Sequence, residues 1–404
     1  YVGDFPVTPV EQGQTFTLTK GVDDLKATTG NDTIIAAIDA NAESNTLNTG
    51  DVIDGGVGKD TLNLTIGAAL NPTVTVKNVE VLEVRNAAGG GNVDMRNTDG
   101  AVKTIVEKQS TNGFTANFIA AADVAVSIKD VTTANLVSDY NWNAGALSGA
   151  ADAASLTLNN AVGTVAGRHT VQLQGGTATQ GFETVNVKTE GAASNLANLV
   201  VTGSTGVTNT MTKLVVTGDK NLTIANIALA ATGGQIDASA FTGNLTVNAV
   251  NAVDVDFKGG KGNDTILFGG GLQATDKVDG GEGTDTLGAN NFAALQAAFT
   301  AGRVSNVEAI RIEQAIATNN GTLDVARAGN VNSVSVNGIG VNTNAINNLQ
   351  DNATLTVTAN GGGTLNANIK DATLAGTANT MTVNLGTAVD AAAIAAGTIG
   401  AAGV

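Results

Sequence analysis

Apolar residues along this chain come mostly in short runs, and within the runs they alternate with polar ones. Leu156–Leu158 (LTL), Val171–Leu173 (VQL), Leu222–Ile224 (LTI) and Leu245–Val247 (LTV) each place two apolar side chains on one face of an extended segment. Leu214–Thr217 (LVVT) belongs to the same train. Gly, Asn and Thr separate the runs at intervals of about eight to twelve residues, the spacing of short strands joined by turns. A solenoid and a sandwich both satisfy that spacing. Helical period is convincing over Asn291–Thr300, where Phe292, Leu295 and Phe299 share a face and Gly302 supplies a stop. The alanine-rich Asp390–Ala396 is a candidate for a second, shorter helix.

A longer pattern sits on top of the alternation. Asn78–Val84 (NVEVLEV), Gly181–Val187 (GFETVNV) and Asn306–Ile312 (NVEAIRI) each read turn residue, apolar residue, glutamate, then alternating apolar positions. That order predicts a strand entered from a turn. The shared Glu80, Glu183 and Glu308 are candidates for metal ligands or, better, for hydrogen bonds that cap a neighbouring rung.

Gly55–Asn63 (GGVGKDTLN), Gly259–Leu267 (GGKGNDTIL) and Gly280–Gly288 (GGEGTDTLG) obey one rule, Gly-Gly-x-Gly-x-Asp-x-apolar-x. Chance would supply on the order of a few hundredths of one match, so this is a true repeat. Glycines allow positive φ and leave carbonyls accessible, the aspartate adds a hard anionic oxygen, and the apolar residue points into a strand core. Such a turn is half of a calcium site and needs another stacked on it. The spacing provides one, because turns on the same side recur every second unit. Between the last two repeats lies Gly271–Asp279 (GLQATDKVD), which keeps Asp276 and Val278 and belongs on the opposite side. Asp264 and Asp285 are therefore expected to stack. Ala27–Ile35 (ATTGNDTII, with Asp32), Thr46–Asp54 (with Asp51) and Gly55–Asn63 (with Asp60) repeat the plan. Asp54 and Asp279, immediately before each glycine pair, are extra ligands or solvated turn residues.

Composition narrows the class. Aromatic residues are 3%, charged residues 14%, and prolines number three, so small branched side chains must build a thin stacked core. A net charge of −16 with no basic stripe argues against nucleic acid, and the excess carboxylates favour divalent cations. Cysteine is absent, which leaves metal or assembly as the stabilising device of an extracellular protein. No apolar run reaches a membrane span, so membrane insertion is not expected. Tyr1 in place of methionine suggests a processed or excised product. His169 is the single histidine, so neither an HExxH zinc site nor a GxSxG serine hydrolase is available. A carboxylate pair for sugar chemistry would need acids outside the glycine turns, where the best-placed ones already sit. Tyr140 and Trp142 form an aromatic cluster that reads as a buried anchor or an assembly contact ahead of a sugar platform. Thr-x-Thr pairs, such as Thr73–Thr75, are scattered.

The three nonapeptides resemble the calcium repeats of RTX proteins. The order KLVVTGDKNLTI, IDASAFTGNLTV, VDFKGGKGNDTILFG over Lys213–Gly269 is similar to RTX-type surface-layer proteins of Gram-negative bacteria. The resemblance implies an all-β, right-handed parallel β-solenoid or β-roll, ordered by Ca2+, outside the cell, and self-assembling. It also implies type I secretion. Asp60, Asp264 and Asp285 would be carboxylate ligands, with Asp32, Asp51 and Asp276 matching less completely. Backbone carbonyls would come from the turns of Gly55, Gly58, Gly259, Gly262, Gly280 and Gly283. The expected organisation is an N-terminal module over 1–100, a strand-repeat module over 101–250, and a second calcium pair with a C-terminal module over 251–404. Expected partners are copies of the same chain, with cell-surface polysaccharide a further one; no enzymatic activity is expected. An RTX adhesin segment gripping a glycan or another surface is the runner-up.

Overall fold

The computed structural model describes residues 11–402 except 164–166, 205, 207, 231–232, 250–252, 314–320, 339–342, 359–363, 371–380 and 386–397. The candidate helix Asp390–Ala396 lies outside them. The chain is an all-β parallel solenoid, with strands that visit two walls in turn. Contacts group it into two units, Tyr1–Thr210 and Met211–Val404.

In the first unit, one wall runs through Thr15–Thr17, Thr33–Ile38, Thr61–Ile66, Val81–Asn86, Thr104–Lys108, Ala125–Lys129, Ala153–Asn159 and Thr184–Thr189, every neighbour parallel. The facing wall is made of two sheets. Asp24–Lys26, Val52–Asp54 and Thr75–Lys77 form the first. Gly91–Asp94, Phe114–Ile119, Val137–Trp142, His169–Gln174 and Ser194–Thr202 form the next. In the second unit, Leu222–Ile227, Leu245–Ala249, Thr265–Leu267, Thr286–Ala289, Ala309–Ile312, Ser333–Val336, Thr354–Val357 and Thr382–Leu385 make one continuous parallel wall. The facing strands are Lys213–Gly218, Gly234–Asp237, Val255–Lys258, Lys277–Asp279 and Val304–Ser305, then Thr322–Asp324, Thr343–Leu349, Thr364–Ile369 and Thr398–Ala402.

Alternation explains the core. Thr61–Ile66 (TLNLTI) turns Leu62, Leu64 and Ile66 inward, each at most 4% exposed, and leaves the residues between at the surface. Register then stacks like on like: Leu62 lies between Ile34 and Leu82, and Leu82 meets Ile105. In the second unit Val247, Ile266, Leu287, Ile310, Val334 and Leu355 form the corresponding column. Each fully buried aliphatic side chain contributes about 1.5–3 kcal/mol, and a stack of small ones suffices because coils neighbour each other on both sides. A one-residue slip would turn the whole column outward, so the alternation also fixes the register.

The helix spans Phe292–Thr300, as the period predicts. The Asn291 side chain caps it by accepting from the Ala294 N–H at 2.7 Å, and Gly302 ends it at φ +67°. Phe292, Leu295 and Phe299 are buried.

Candidate functional site

The glycine–aspartate turns stack as their spacing predicts, and a hydrogen-bonded ladder of carboxylates links them. In the first unit the Gln14 N–H donates to Asp32 Oδ1 at 2.7 Å. The Asp32 N–H donates to Asp60 Oδ1 at 2.7 Å, and the Asp60 N–H to Glu80 Oε2 at 2.8 Å. The second unit repeats this with other residues. The Leu245 N–H donates to Asp264 Oδ1 (2.7 Å), Asp264 N–H to Asp285 Oδ1 (2.7 Å) and Asp285 N–H to Glu308 Oε2 (2.9 Å). All four aspartates are at most 2% exposed.

The two turns of each pair differ. In the first turn the outer oxygen is satisfied locally: Asp32 Oδ2 accepts from the Thr28 N–H at 2.6 Å and Asp264 Oδ2 from the Gly260 N–H at 2.6 Å. In the second turn, Gly56 and Gly58 (φ +90° and +146°) or Gly281 and Gly283 (φ +99° and +124°) take left-handed conformations open to glycine. The Gly56 N–H is redirected to Asp54 Oδ1 at 3.1 Å. Asp60 Oδ2 and Asp285 Oδ2 are left buried with no hydrogen-bond partner. Stacking is close enough that only glycine fits. A Cβ at Gly55 would fall 2.0 Å from the Asn78 carbonyl oxygen and 2.9 Å from Asp60 Oδ2. At Gly280 it would fall 1.8 Å from the Asn306 carbonyl oxygen and 2.6 Å from Asp285 Oδ2. Gly259 sits in the same way against the Gly280 carbonyl and Asp264 Oδ2, at 1.8 and 2.8 Å.

Asp51 and Asp276 occupy the turns into the opposite wall and are equivalent. Asp51 accepts from the N–H groups of Asp23 and Asn48 at 2.9 and 2.7 Å, and Asp276 from those of Val255 and Gln273, both at 2.7 Å. Asp54 and Asp279 brace the next coil: each accepts from an asparagine side chain, Asn78 or Asn306, at 2.7 Å. Those asparagines are left-handed (φ +50° and +51°), which explains the first letter of the Asn-Val-Glu motif. Its valines, Val79 and Val307, are 1% exposed, and its glutamates cap the aspartate one coil earlier. Glu183 does the same for the Asp152 N–H at 2.8 Å, so rung capping is common to all three copies. An asparagine relay escaped the sequence reading. Asn221 Oδ1 accepts from the Asn244 N–H, Asn244 from Asn263, and Asn263 from Thr284, at 3.0, 2.9 and 2.9 Å. The recurring Asn-Leu-Thr of 221–223 and 244–246 was its signal.

Electrostatics separates the ladder members. Burial pushes the Asp285 carboxyl up to about 7, against the Asp264 N–H and helped by the charges of Asp264, Glu308 and Asp279. Burial raises Asp60, Asp264 and Asp276 too. It also pushes on Asp32, but the donors Gln14 N–H and the Thr28 hydroxyl and N–H outweigh it and hold that carboxyl low. A charge buried without a counter-charge is costly, so these positions favour a cation. Among the described residues no three acidic or histidine side chains converge, so an ion here would draw on main-chain oxygens. Those are at hand. The Thr28 and Gly30 carbonyls approach Gly56 and Gly58, and the Gly260 and Gly262 carbonyls approach Gly281 and Gly283, each 2.2–2.4 Å from where a Cβ would be. An all-oxygen set with one bare carboxylate oxygen per pair fits calcium.

Two other sequence candidates are internal. Tyr140 and Trp142 are buried, Trp142 stacking edge-on against Phe182 at 4.7 Å and donating from Nε1 to the Ala121 carbonyl at 3.0 Å. His169 is a buried strand residue whose Nε2 lies 2.9 Å from Ser138 Oγ, which also bonds Glu107; Tyr140 donates to Glu107 at 3.1 Å. The order Glu–Ser–His resembles a charge relay, but all four side chains are 0% exposed and no substrate reaches the hydroxyl. Burial lowers His169 to about 4.

No protein-family model matches the sequence, and no curated protein matches it.

Proposed function

We propose that this chain is a non-enzymatic structural protein of the bacterial exterior, ordered by Ca2+ and associating with copies of itself into a surface layer or filament. The observation that carries the reading is the paired turn: Asp32 over Asp60 and Asp264 over Asp285, each pair ending in a bare buried carboxylate oxygen in a turn whose glycines are closely approached by carbonyls of the turn before. Calcium would supply positive charge to that oxygen. Asp60 with the Thr28 and Gly30 carbonyls, and Asp285 with those of Gly260 and Gly262, would hold it. Asp264, whose oxygens each retain a second lone pair, would complete the set in the second unit, and Asp32 would do so in the first with the oxygen that the single Thr28 hydroxyl proton leaves free. The Gly55, Gly259 and Gly280 positions keep the space open.

Assembly draws on the walls themselves. Among the described residues Thr15–Thr17 and Thr398–Ala402 pair on one side only, and an unpaired parallel edge accepts a further strand. Metal-ordered coils present that edge in a single geometry. Asp264→Asn with Asp285→Asn is expected to halve or better the calcium bound per chain, read by calorimetry, and to lower polymerisation at limiting calcium, read by sedimentation and electron microscopy. Unchanged polymerisation of that double variant would sink the mechanism.

The runner-up, an adhesin segment, draws on one feature. Thr246, Thr265 and Thr286 lie in register on an outer face, and Ser333, Thr354 and Thr382 continue it past Ala309. The column two residues on is mixed (Asn248, Leu267, Gly288, Arg311), so no regular double rank forms. Glycan-array binding by a chain that stays monomeric in calcium would select this reading.

A further inference from the structure

Among the described residues the walls of the first unit have one interruption. Thr75–Lys77 is the last strand of its three-stranded sheet and Gly91–Asp94 the first of the next. Across the gap run the lone bridge Val76–Thr98 and two hydrogen bonds, Asp99 N–H to the Val76 carbonyl at 3.1 Å and Asn78 N–H to Asp99 Oδ2 at 2.9 Å. The coil on the other wall continues without a break, since Thr61–Ile66, Val81–Asn86 and Thr104–Lys108 pair in sequence. One wall therefore opens while the core behind it stays in place. The opening is a cavity of about 390 Å³. Its depth is aliphatic, with Ile38, Leu62, Leu64, Val76, Val79 and Leu82 among its lining. Its mouth is polar but uncharged on balance: Asn92, Asn97, Asn117 and Thr73 share it with Arg96 and Asp94. The Arg96 guanidinium is tied to Asp94, from Nε at 3.0 Å and Nη2 at 2.6 Å, and lies 3.9 Å over the Phe118 ring. Phe118 itself is 40% exposed beside the mouth.

We infer that this cavity is a binding site for one aliphatic chain carrying an uncharged hydrogen-bonding head. Native interiors are close-packed, so a void of this volume is not a by-product of ordinary packing. Its size lies in the range of small-molecule sites. Walls of Leu, Val and Ile give water no partner, and such cavities take apolar guests. The head would meet asparagine amides, which both donate and accept. An anionic head would meet the Asp94 carboxylate, and the one nearby cation is already neutralised. No ladder carboxylate lines the site, although Leu62 and Val79 of the lining lie close to Asp60 and Glu80 in the chain.

The test is a methyl-detected NMR titration of the full chain with 1-octanol and, in parallel, sodium octanoate. The Leu62, Leu64 and Val79 methyl signals should shift saturably with octanol, while Leu355 in the second unit stays still. Octanoate should bind about tenfold more weakly. Val93→Phe places a ring in the lining, and Thr73→Trp covers the mouth from the exposed side; each should weaken octanol by about tenfold or more. Two variants guard against one that fails to fold. Absence of shifts with both compounds would overturn the proposal. So would equal shifts at Leu355, or octanol affinity unchanged in both variants. Dilution-dependent shifts of the same methyls without additive would overturn it in favour of a side chain from a second copy. Octanoate binding as tightly as octanol would overturn the neutral-head assignment.

Discussion

The two aspartate ladders reach one geometry from different chain lengths. Asp32 and Asp60 are 28 residues apart, Asp264 and Asp285 only 21, yet each pair is joined by the same 2.7 Å bond and capped by a glutamate from an Asn-Val-Glu motif. The ladder therefore tolerates insertions in the opposite-side loop, as loops generally do. What differs is the donor four residues before the first aspartate. Thr28 offers a hydroxyl as well as its N–H, whereas Gly260 offers only the N–H. Asp32 is held low and Asp264 is raised. The less crowded surroundings of Asp32 and the added Thr28 hydroxyl together separate a pair of which one member is content to be charged from a pair in which both resist it.

The comparison can be broken most forcefully at the shared glycines. Gly280→Ala and Gly55→Ala drive a methyl group to 1.8 and 2.0 Å from a backbone oxygen, and each should cost about 4 kcal/mol or prevent folding. Gly269→Ala, whose nearest neighbour is 4.0 Å away at φ +52°, should cost only about 1–2 kcal/mol in the same urea titration. Equal losses at Gly280 and Gly269 would show that the turn has no tight stack. Next come the caps. Glu308→Ala and Glu80→Ala each strand a buried N–H and should cost about 1–3 kcal/mol, largely restored by Gln, which keeps an acceptor oxygen.

The pH response sharpens the contrast. In chelator, Asp285 has a folded value of about 7 against an ordinary 3.8, so its contribution is full below about 4 and lost as pH rises through about 7. Asp32 is depressed, so its contribution is present above its ordinary value and lost as pH falls through the folded one. Hydrogen exchange corrected for intrinsic rate should therefore quicken between about pH 4 and 7 at Thr284–Thr286, and less at Asn31–Thr33. Calcium should abolish the difference. The smallest effect belongs to Thr28→Val, which should cost about 1 kcal/mol and raise the Asp32 carboxyl, read by carbon-detected titration. An unmoved Asp32 would remove the explanation offered for the asymmetry.

Much of this was legible beforehand. Alternating runs such as TLNLTI and a nonapeptide every second unit dictate stacked parallel strands, and the sandwich alternative fails because every described strand pair within either unit's walls is parallel. Stacking of Asp264 on Asp285 followed from spacing alone. The bare oxygens did not, because they depend on which glycines turn left-handed, and GGKGND and GGEGTD look alike as strings. The Glu107–Ser138–His169 cluster was hidden for another reason: its members stand 31 residues apart in successive coils, where only register brings them together. The interruption after Thr75–Lys77 has no marker in composition at all.

Adjacent residues in the first turn of each pair bond in opposite senses. Asn263 accepts from Thr284 in the coil that follows, while its neighbour Asp264 accepts from Leu245 in the coil before; Asn31 and Asp32 do likewise with Lys59 and Gln14. The joint to the following coil is itself laced both ways, since Thr284 donates back to Asn263 while Asp264 donates forward to Asp285, as Lys59 and Asp32 do with Asn31 and Asp60. Were the proposed assembly loaded, such cross-stitching would share the load between both turns with no disulfide to help.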